Sequence, residues 1–437
     1  MDYKRGLAYL DKLVPWKGQG VCTLEKIEAV LARLGKPQEA YRTVHITGTN
    51  GKGSVSTAIA SIMGAAGLHI GLTTSPHLVK QNERIVVDGV VIEDRFLGEC
   101  ADRVGVAAGR EHVELTYFEG ITATAFLAFK EAKVDWGIIE VGLGGRLDAT
   151  NILTRPEACV ITTVDYDHMH ILGDTLEEIS REKAGIIKYG SKVIVGELSL
   201  ESLLEVRLAA KRAGARELRC GGDDFWAKIE GQGAFKFTSI HDGKETVLKI
   251  TPSLVGAHQA QNMAVAMETC RVLGFSTYDL ENGIKSTYWP GRLETIEVNG
   301  VKILLDCAHN IAGLKALTEY LKSQNLRDIV VLFGVLTRPD WKEMVSALNE
   351  FVGSWYLMDP PTDRAVKSSE VQQHLSSIGV NSKIVNSHKE FWNDVGVLPK
   401  ENNVLITGSL YLLGSVLSYL QETKSAVPQK QLWKRKS

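Results

Sequence analysis

The chain has 437 residues, of which 44% are hydrophobic and 23% charged, and its formal net charge is −2 at pH 7. This length exceeds that of one typical hydrophobic core, and the composition is that of a globular protein, so we expect two domains. The small net charge, with lysine and arginine spread along the chain, argues against a strongly basic surface for nucleic acid. The six cysteines form no C-x-x-C pair. With an N-terminus that lacks a signal-peptide pattern, they indicate reduced thiols in a cytosolic protein.

A helical pattern over residues 1–42 precedes the most informative stretch of the sequence. Residues 43–47 are β-branched and apolar and predict a buried strand, and residues 55–67 have the spacing of a helix. In the glycine-rich turn between them, backbone N–H groups can bind phosphate, a lysine supplies a full charge and a hydroxyl can ligate magnesium. The alternative is a plain glycine-rich connection. We predict a nucleotide site made by Thr49, Asn50, Gly51, Lys52, Gly53 and Ser54.

This loop departs from the pattern G-x-x-x-x-G-K-[ST] in two places. Ile46 stands at the position of the first glycine, and Gly53 separates Lys52 from Ser54. In the form Thr-Gly-Thr-Asn-Gly-Lys-Gly-Ser, the loop resembles that of the Mur ligase superfamily. It is most similar to the folylpolyglutamate synthase and dihydrofolate synthase branch. The resemblance implies that the loop binds ATP and that Ser54 is a magnesium ligand.

A second match consists of Ser75-Pro-His-Leu and, after a short spacer, Asn82-Glu-Arg-Ile. From the residues alone, the first segment is a strand end that is stopped by proline. In the synthase branch the serine resembles a magnesium ligand, and the loop after it closes over the pteridine ring. The resemblance therefore implies that Ser75 binds metal.

Two further segments are candidates for binding metal and an acceptor. The spacing of Thr116 and Glu119 before an apolar helix predicts a capping box. The family uses the same segment to line its pterin site, and the two roles are compatible. Glu140 ends an apolar strand beside a glycine-dense loop, which suggests magnesium binding, and the matching family pattern makes Glu140 a metal ligand. The acceptor-binding candidates implied by the resemblance are Thr116, Tyr117, Phe118, Glu119, Leu147, Asp148 and Ala149.

Another apolar strand is followed by His168 and His170, a pair that is more often structural than metal-binding. The family pattern selects His168 as the ligand. Lys183 follows near the end of a predicted helix, where a lysine is normally solvated. In the Mur-type ligases this lysine is carbamylated and holds a second magnesium ion; Lys188 is the alternative here. The resemblance makes Lys52, His168 and Lys183 catalytic candidates and gives the metal the ligands Ser54, Ser75, Glu140, His168 and Lys183.

Residues 191–255 carry no recognisable chemistry, and we expect a peripheral insert there. The helix that follows begins with a match to the family's Gly-x-His-Gln-x-x-Asn, in which Asn262 would face the adenine. Pro290-Gly291 interrupts both the helical and the strand periodicity and predicts a hinge.

Beyond the hinge, short strands alternate with helices, which is typical of a small Rossmann-like domain. Arg292 and Asp306 resemble two residues that reach ATP from this domain. Cys307 replaces the glycine of the family's Asp-Gly-Ala-His-Asn motif. Residues 334–340 lack the expected Asp-Lys-Asp, which leaves the contacts to L-glutamate open. Residues 402–421 are uncharged, but their strand-turn-helix pattern leaves too short a helix to span a bilayer.

These patterns and the resemblance together predict an α/β protein. Its first part, residues 1–289, would be a P-loop-containing, Mur-ligase-like central domain with a parallel-rich sheet that binds ATP and the pterin. Residues 290–425 would form a smaller C-terminal Rossmann-like α/β domain. Residues 426–437 would be a disordered tail.

The function implied by the resemblance is that of an ATP-dependent amide ligase. It would add L-glutamate to dihydropteroate, to reduced folates or to both through an acyl phosphate, with two Mg²⁺ ions and a carbamylated Lys183. We expect a monomer with small-molecule substrates that binds neither nucleic acid nor membrane. The alternatives are a dedicated folylpolyglutamate synthase, a peptidoglycan Mur ligase or a non-catalytic P-loop nucleotide-binding protein. The Ser-Pro-His-Leu and Asn-Glu-Arg-Ile segments argue against the peptidoglycan ligase.

Overall fold

A computed structural model describes residues 2–16, 23–231, 233–396, 403–423 and 431–436. Within these residues the chain forms a large sheet, a small antiparallel sheet and a second α/β sheet, in that order. Helices flank the large sheet and the last one. The predicted α/β class, with a second α/β unit after Pro290-Gly291, is confirmed.

Among the described residues, the large sheet has eight strands in the order β4-β3-β2-β5-β1-β6-β7-β8. The strands from β2 to β8 in that order are parallel to one another, and β3 and β4 add an antiparallel edge. Since parallel strands end at one edge, loops after β1, β2, β5 and β6 converge there. The strands are β1 (Arg42–Thr47), β2 (Ile70–Thr73), β3 (Ile85–Val87), β4 (Val90–Val91), β5 (Trp136–Glu140), β6 (Ala158–Ile161), β7 (Lys192–Val195) and β8 (Glu217–Cys220).

Helices cover both faces of this sheet, which explains why its central strands β1 and β5 are buried on both faces along almost their whole length. One face buries α3 together with α9 and α10, and the other buries α1, α2, α4 and α5. The helices are α1 (Tyr3–Lys12), α2 (Glu25–Arg33), α3 (Lys52–Ala65), α4 (Asp94–Glu111), α5 (Tyr117–Glu131), α6 (Met169–Leu172), α7 (Leu176–Ala184), α8 (Leu200–Ala213), α9 (Ala257–Val272) and α10 (Thr277–Ser286).

The expectation of a peripheral insert over residues 191–255 is wrong for its first half. Strand β7 pairs in parallel with β6, and β8 pairs in parallel with β7, so that both complete the large sheet. Only the following three strands form a separate antiparallel meander, which packs through Phe225, Phe235 and Phe237 into the core beside α9. These strands are β9 (Phe225–Ile229), β10 (Phe235–His241) and β11 (Lys244–Ile250).

The second α/β unit has strand order β12-β13-β17-β14-β15-β16 within the described residues. An antiparallel hairpin, β12 and β13, forms one edge, and the other pairings are parallel. Its strands are β12 (Glu294–Val298), β13 (Val301–Leu305), β14 (Ile329–Phe333), β15 (Val352–Leu357), β16 (Ser382–Ile384) and β17 (Val404–Thr407). Its helices are α11 (Ile311–Ser323), α12 (Trp341–Asn349), α13 (Ser368–Ser377), α14 (His388–Val395) and α15 (Leu410–Glu422).

The strand-turn-helix pattern over residues 402–421 is confirmed by β17 and α15. In the described part of the chain, no helix combines the length and the apolar character needed to cross a membrane. The five described cysteines are free and buried, and Cys22 lies outside the described residues.

The expected disorder of the tail over 426–437 is wrong for residues 431–436, which we call the C-terminal strap. Trp433 is only 1% exposed and belongs to the core beneath α3, and Leu432 is buried as well. The Leu432 N–H donates to Gly89 O at 2.9 Å, and the Leu432 carbonyl accepts from Tyr288 N–H at 2.8 Å. The basic residues that follow make the tail look solvated in sequence, whereas its two apolar side chains determine its position. Residues 424–430 lie outside the described part of the chain.

A buried ion pair joins α9 to the edge of the large sheet. Glu268 is fully buried and accepts hydrogen bonds from Arg219 Nε on β8 at 2.8 Å and from Arg271 at 2.7 and 2.8 Å. Arg219 also contacts the Ile240 carbonyl of β10. The glutamate therefore connects the large sheet, the meander and α9.

We expect Glu268→Ala to lower the free energy of unfolding by about 3 kcal/mol, because the buried Arg219 guanidinium loses its fully buried carboxylate partner and keeps only the longer contact with Asp224 at 3.4 Å. Urea denaturation measures the change. The matched control is Glu281→Ala, which removes an exposed pair with Lys285 at 3.5 Å and should cost at most about 0.5 kcal/mol. Equal effects of the two substitutions would contradict the role assigned to the buried pair.

Candidate nucleotide and metal site

The glycine-rich loop lies between β1 and α3, as predicted, and the helix begins at Lys52 itself. Gly51 has a φ of 82°, a left-handed conformation that glycine adopts without strain. Lys52 Nζ donates to Gly48 O at 2.9 Å and to Thr49 O at 3.1 Å. The ammonium group is thereby held against the loop at the N-terminus of α3, where a phosphate group would be bound.

Two threonines at the end of β6 hold this loop in place. Thr162 Oγ1 donates to Asn50 O at 2.6 Å, and Asn50 N–H donates to Thr163 Oγ1 at 3.0 Å. Thr49 N–H donates to Thr163 O at 2.8 Å. Sequence reasoning missed both threonines. The available signal was a polar pair at the carboxyl end of a buried strand, where parallel sheets place their functional loops.

Gly51 and Gly53, on either side of Lys52, are both closely packed against other parts of the chain. A Cβ on Gly51 would collide with the amide of Asn262, which α9 presents over the loop. A Cβ on Gly53 would lie 2.9 Å from the ring of Trp289. The predicted adenine-facing residue and the hinge segment thus both contact the loop directly.

Glu140 ends β5 next to the loop and is 4% exposed. Burial raises the pKa of its carboxyl to about 7, although Lys52 and Arg292 oppose this shift. Its Oε2 has no hydrogen-bond partner, and neither has Ser54 Oγ. Two buried oxygens without partners at one site are suited to a hard cation such as magnesium.

Lys183, on α7, is 3% exposed in the same cavity. Burial, together with the nearby Lys52, lowers the pKa of its amine to about 7. His168 lines the cavity too; its side chain is 46% exposed, and partial desolvation lowers its pKa. His170 is exposed as well, but it does not line the cavity. The neighbouring lysine, Lys188, does not line it either.

Among the described residues, no three His, Cys, Asp or Glu side chains form a metal-binding group. The five predicted ligands nevertheless line one cavity of about 700 Å³. They comprise two hydroxyls, one carboxylate, one imidazole and one amine. The amine of Lys183 would become an oxygen donor only if it were carbamylated. The fit to magnesium therefore depends on the two oxygens without partners and on that modification.

The second α/β unit contributes Arg292 and Asp306 near the same site. The Asp306 carboxylate accepts from Leu293 N–H at 3.0 Å and from Ala308 N–H at 2.9 Å. Burial raises its pKa, and Arg292 opposes the rise. Asp306 therefore organises the backbone around the hinge, while Arg292 lines the cavity.

Polar contacts join the two α/β units beside the loop. Asn310 Nδ2 donates to Asn50 Oδ1 at 3.0 Å and lies 3.3 Å from Asp167 Oδ2. Arg338 donates to His309 O at 2.6 Å and comes within 3.9 Å of Asp167. The sequence motif containing Asn310 was identified, but its contact with Asn50 was not, because these residues are 260 positions apart.

The seven acceptor-binding candidates are clustered, but none of them lines the cavity. Thr116 and Glu119 form the predicted capping box at the start of α5. Asp148 accepts from the N–H groups of Gly142 and Leu143 at 3.1 and 3.0 Å. The Phe118 ring occupies the space where a Cβ on Gly142 would be. Phe118 and Asp148 therefore contact the loop at 142–144, whose residues do line the cavity.

The cavity extends in another direction, along the β4 edge of the large sheet. We call this part the outer groove; it lies between β4 and α15, with the strap at its far end. Its lining includes Leu78, Val90, Val91, Leu410, Leu417 and Leu432. The Gly414 position of α15 lies against the Leu78 carbonyl, so the loop after Ser75 packs on the second α/β unit.

Two family models match the chain in sequence. The Mur ligase middle domain matches residues 46–270, and the Mur ligase, glutamate ligase domain matches residues 291–410.

Similar proteins and structures cover almost the entire chain. A folylpolyglutamate synthase of Lacticaseibacillus casei is 34% identical over 97% of this chain and 100% of its own. A dihydrofolate synthase/folylpolyglutamate synthase of Bacillus subtilis is 34% identical over 91% of this chain and 95% of its own. The solved structure of E. coli FolC in complex with DHPP and ADP superposes with a TM-score of 0.86 at 30% identity, covering 97% of this chain and 99% of that one.

We expect Glu140→Gln and His168→Ala each to weaken magnesium binding by at least about tenfold, because each removes a donor from the cavity. Titration with Mn²⁺ as a paramagnetic probe measures the affinity. His170→Ala is the matched control two residues away and should leave it unchanged. A larger effect of His170→Ala than of the other two would show that the wrong histidine was assigned to the metal.

Proposed function

The chain belongs to the folylpolyglutamate synthase and dihydrofolate synthase family of Mur ligases, and on that premise we propose that it joins L-glutamate to a pteroate or folate carboxylate in an ATP-dependent reaction. The observation that carries the proposal is a single cavity that holds the glycine-rich loop, Lys52, Glu140 and Lys183 from one α/β unit and Arg292 from the other. This is the arrangement needed to transfer a phosphoryl group to a substrate placed between the two units.

The proposed reaction has two steps. The acceptor carboxylate attacks the γ-phosphate of ATP, which gives ADP and an acyl phosphate. The amine of L-glutamate then attacks the acyl carbon and releases phosphate. Lys52 and Arg292 would neutralise charge on the transferring group, and this positioning and electrostatic stabilisation supply most of the catalysis.

For the nucleotide, we propose that the loop from Thr49 to Ser54 binds the phosphates through the N–H groups of Gly51 to Ser54, because those of Thr49 and Asn50 already donate to Thr163. We also propose that Asn262 contacts the adenine. Asp306 acts indirectly in this scheme. By accepting from Leu293 and Ala308 N–H groups, it fixes the backbone next to Arg292. The Asn50–Asn310 contact would keep the two units together and exclude water from the acyl phosphate.

Magnesium, when bound, would neutralise phosphate charge and orient the phosphate oxygens. We propose Ser54, Ser75, Glu140 and His168 as the residues that hold it, with Lys183 joining them as a carbamate. The support for Lys183 is its burial and a pKa near 7, since only a neutral amine reacts with carbon dioxide. Lys188 lacks access to the cavity.

We propose that Thr116, Tyr117, Phe118, Glu119, Leu147, Asp148 and Ala149 bind the ring of a short acceptor. This would require Phe118 to move away from Gly142. A second candidate, a dedicated folylpolyglutamate synthase, is favoured by the outer groove, because its apolar lining is already open and could accept a longer folate. We propose that the protein is a monomer, since one chain supplies both sides of the cavity. We also propose that it is cytosolic and that its domain boundary lies between residues 289 and 290.

The proposal is tested by supplying ATP and L-glutamate with either dihydropteroate or tetrahydrofolate and resolving the products by mass. We expect glutamate-dependent ADP release and at least one product that is heavier by one glutamate. Lys52→Ala should reduce turnover by about 100-fold or more, because it removes charge from the transferring phosphoryl group. ADP release that is independent of glutamate and acceptor would contradict the proposal.

We also expect a carbamate on Lys183 that increases as pH rises through about 7. Below this pKa the amine is protonated and cannot react, and above it the amine is neutral. ¹³C NMR with labelled bicarbonate measures the carbamate, and Lys183→Ala should remove the signal. Lys188→Ala is the control, because the pKa of that lysine is lowered as well. A signal that survives Lys183→Ala would refute the modification.

A further inference from the structure

Hydrogen bonds hold the C-terminal strap in place in addition to the packing of Trp433. Gln431 Nε2 donates to Asp88 O at 2.8 Å, Arg435 Nε to Gly67 O at 3.0 Å and Lys436 N–H to Gly64 O at 3.0 Å. With the two bonds of Leu432, the strap is fixed to the β3–β4 turn, to the end of α3 and to the residue before Trp289.

Two glycines provide the space in which Trp433 lies. A Cβ on Gly64 would come within 2.7 Å of the indole ring, and a Cβ on Gly89 would collide with the Trp433 backbone. Gly64 belongs to α3, and Gly89 to the β3–β4 turn. Both elements are therefore shaped to receive the strap.

The strap also forms part of the cavity. Gln431 and Leu432 line it together with β4 and with Leu417 and Gln421 of α15. In the sheet, β4 is four strands away from β1, which precedes the nucleotide loop, a separation of about 19 Å. The strap thus closes the outer groove at the end remote from Lys52.

We propose that the C-terminal strap is a specificity-determining element that forms the floor of the outer groove and contacts the ring of the longer acceptor. This inference rests on the proposed function. The reacting carboxylate must lie near Lys52, so the rest of an acceptor extends away from the loop. A reduced folate has one glutamate more than dihydropteroate between its ring and its reacting carboxylate. Its ring therefore reaches further along the groove, towards Leu432.

The test compares kcat/KM for tetrahydrofolate and dihydropteroate, at saturating ATP and L-glutamate, in the full-length chain. Leu432→Ala should lower kcat/KM for tetrahydrofolate about tenfold through KM, since one apolar contact in a pocket discriminates by about that factor. The kcat/KM for dihydropteroate and the KM for ATP should each change by less than about twofold. The control is Lys434→Ala, an exposed residue of the same strap.

Trp433→Ala, which releases the strap, should shift the ratio of the two acceptors in the same direction, and thermal unfolding shows whether the variant is folded. Equilibrium binding of tetrahydrofolate to Leu432→Ala gives a measurement that does not depend on turnover. If the wild type is active and Leu432→Ala leaves the ratio of kcat/KM for the two acceptors unchanged, the strap proposal alone is overturned. An equal loss of kcat/KM for both acceptors has the same meaning. A wild type that is inactive with both acceptors overturns this proposal together with the proposed function.

Discussion

The burial of charged groups in one cavity is the constraint on which the rest of this site depends. Lys183 and Glu140 are almost fully removed from water, and moving an isolated charge there is costly. The pKa of each lies near 7, lowered for the amine and raised for the carboxyl, so both can be neutral when nothing is bound. Phosphate and magnesium would bring charges that favour the ionised forms. The site therefore suits a reaction in which charge arrives with the substrates.

The topology of the large sheet explains how residues far apart in sequence share this cavity. Strands β1, β5 and β2 are neighbours and parallel, so the glycine-rich loop, Glu140 and Ser75 emerge side by side at one edge. Lys183 and His168 follow β6, on the other side of β1. The second α/β unit then covers this edge and places Arg292 and Asn310 against it. The cavity is a consequence of strand order, as expected for parallel sheets.

Features encoded by neighbouring residues were predictable from the sequence. The loop from Thr49 to Ser54 and the capping box of Thr116 and Glu119 depend on spacings of a few positions, and the structure has both. Features that depend on distant partners were not. Thr163 holds Asn50 across 113 positions, and nothing local distinguishes it from an ordinary strand end.

The other expectations that the structure corrects also concern features that depend on residues distant in sequence. Strands β7 and β8 looked peripheral because their place in the sheet depends on the pairing of β7 with β6 and of β8 with β7. The tail that contains Trp433 was expected to be disordered, because the glycines that receive this side chain lie more than 300 residues earlier. The candidate acceptor residues were named from their motifs, but only the structure shows that none of them lines the cavity.

Cys307 stands beside the site where the family motif has glycine, and it brings no reactive thiol there. Its sulfur lies 2.8 Å from where a Cβ on Gly291 would be, so the thiol fills space next to the hinge. Burial raises its pKa to about 12, and those of Cys100 and Cys159 to about 12 and 11. A thiol that is protonated and enclosed is a poor nucleophile, because alkylating agents and peroxides react with the thiolate. The cysteine that stands in place of the family's glycine therefore gives covalent reagents and oxidants no route into the hinge.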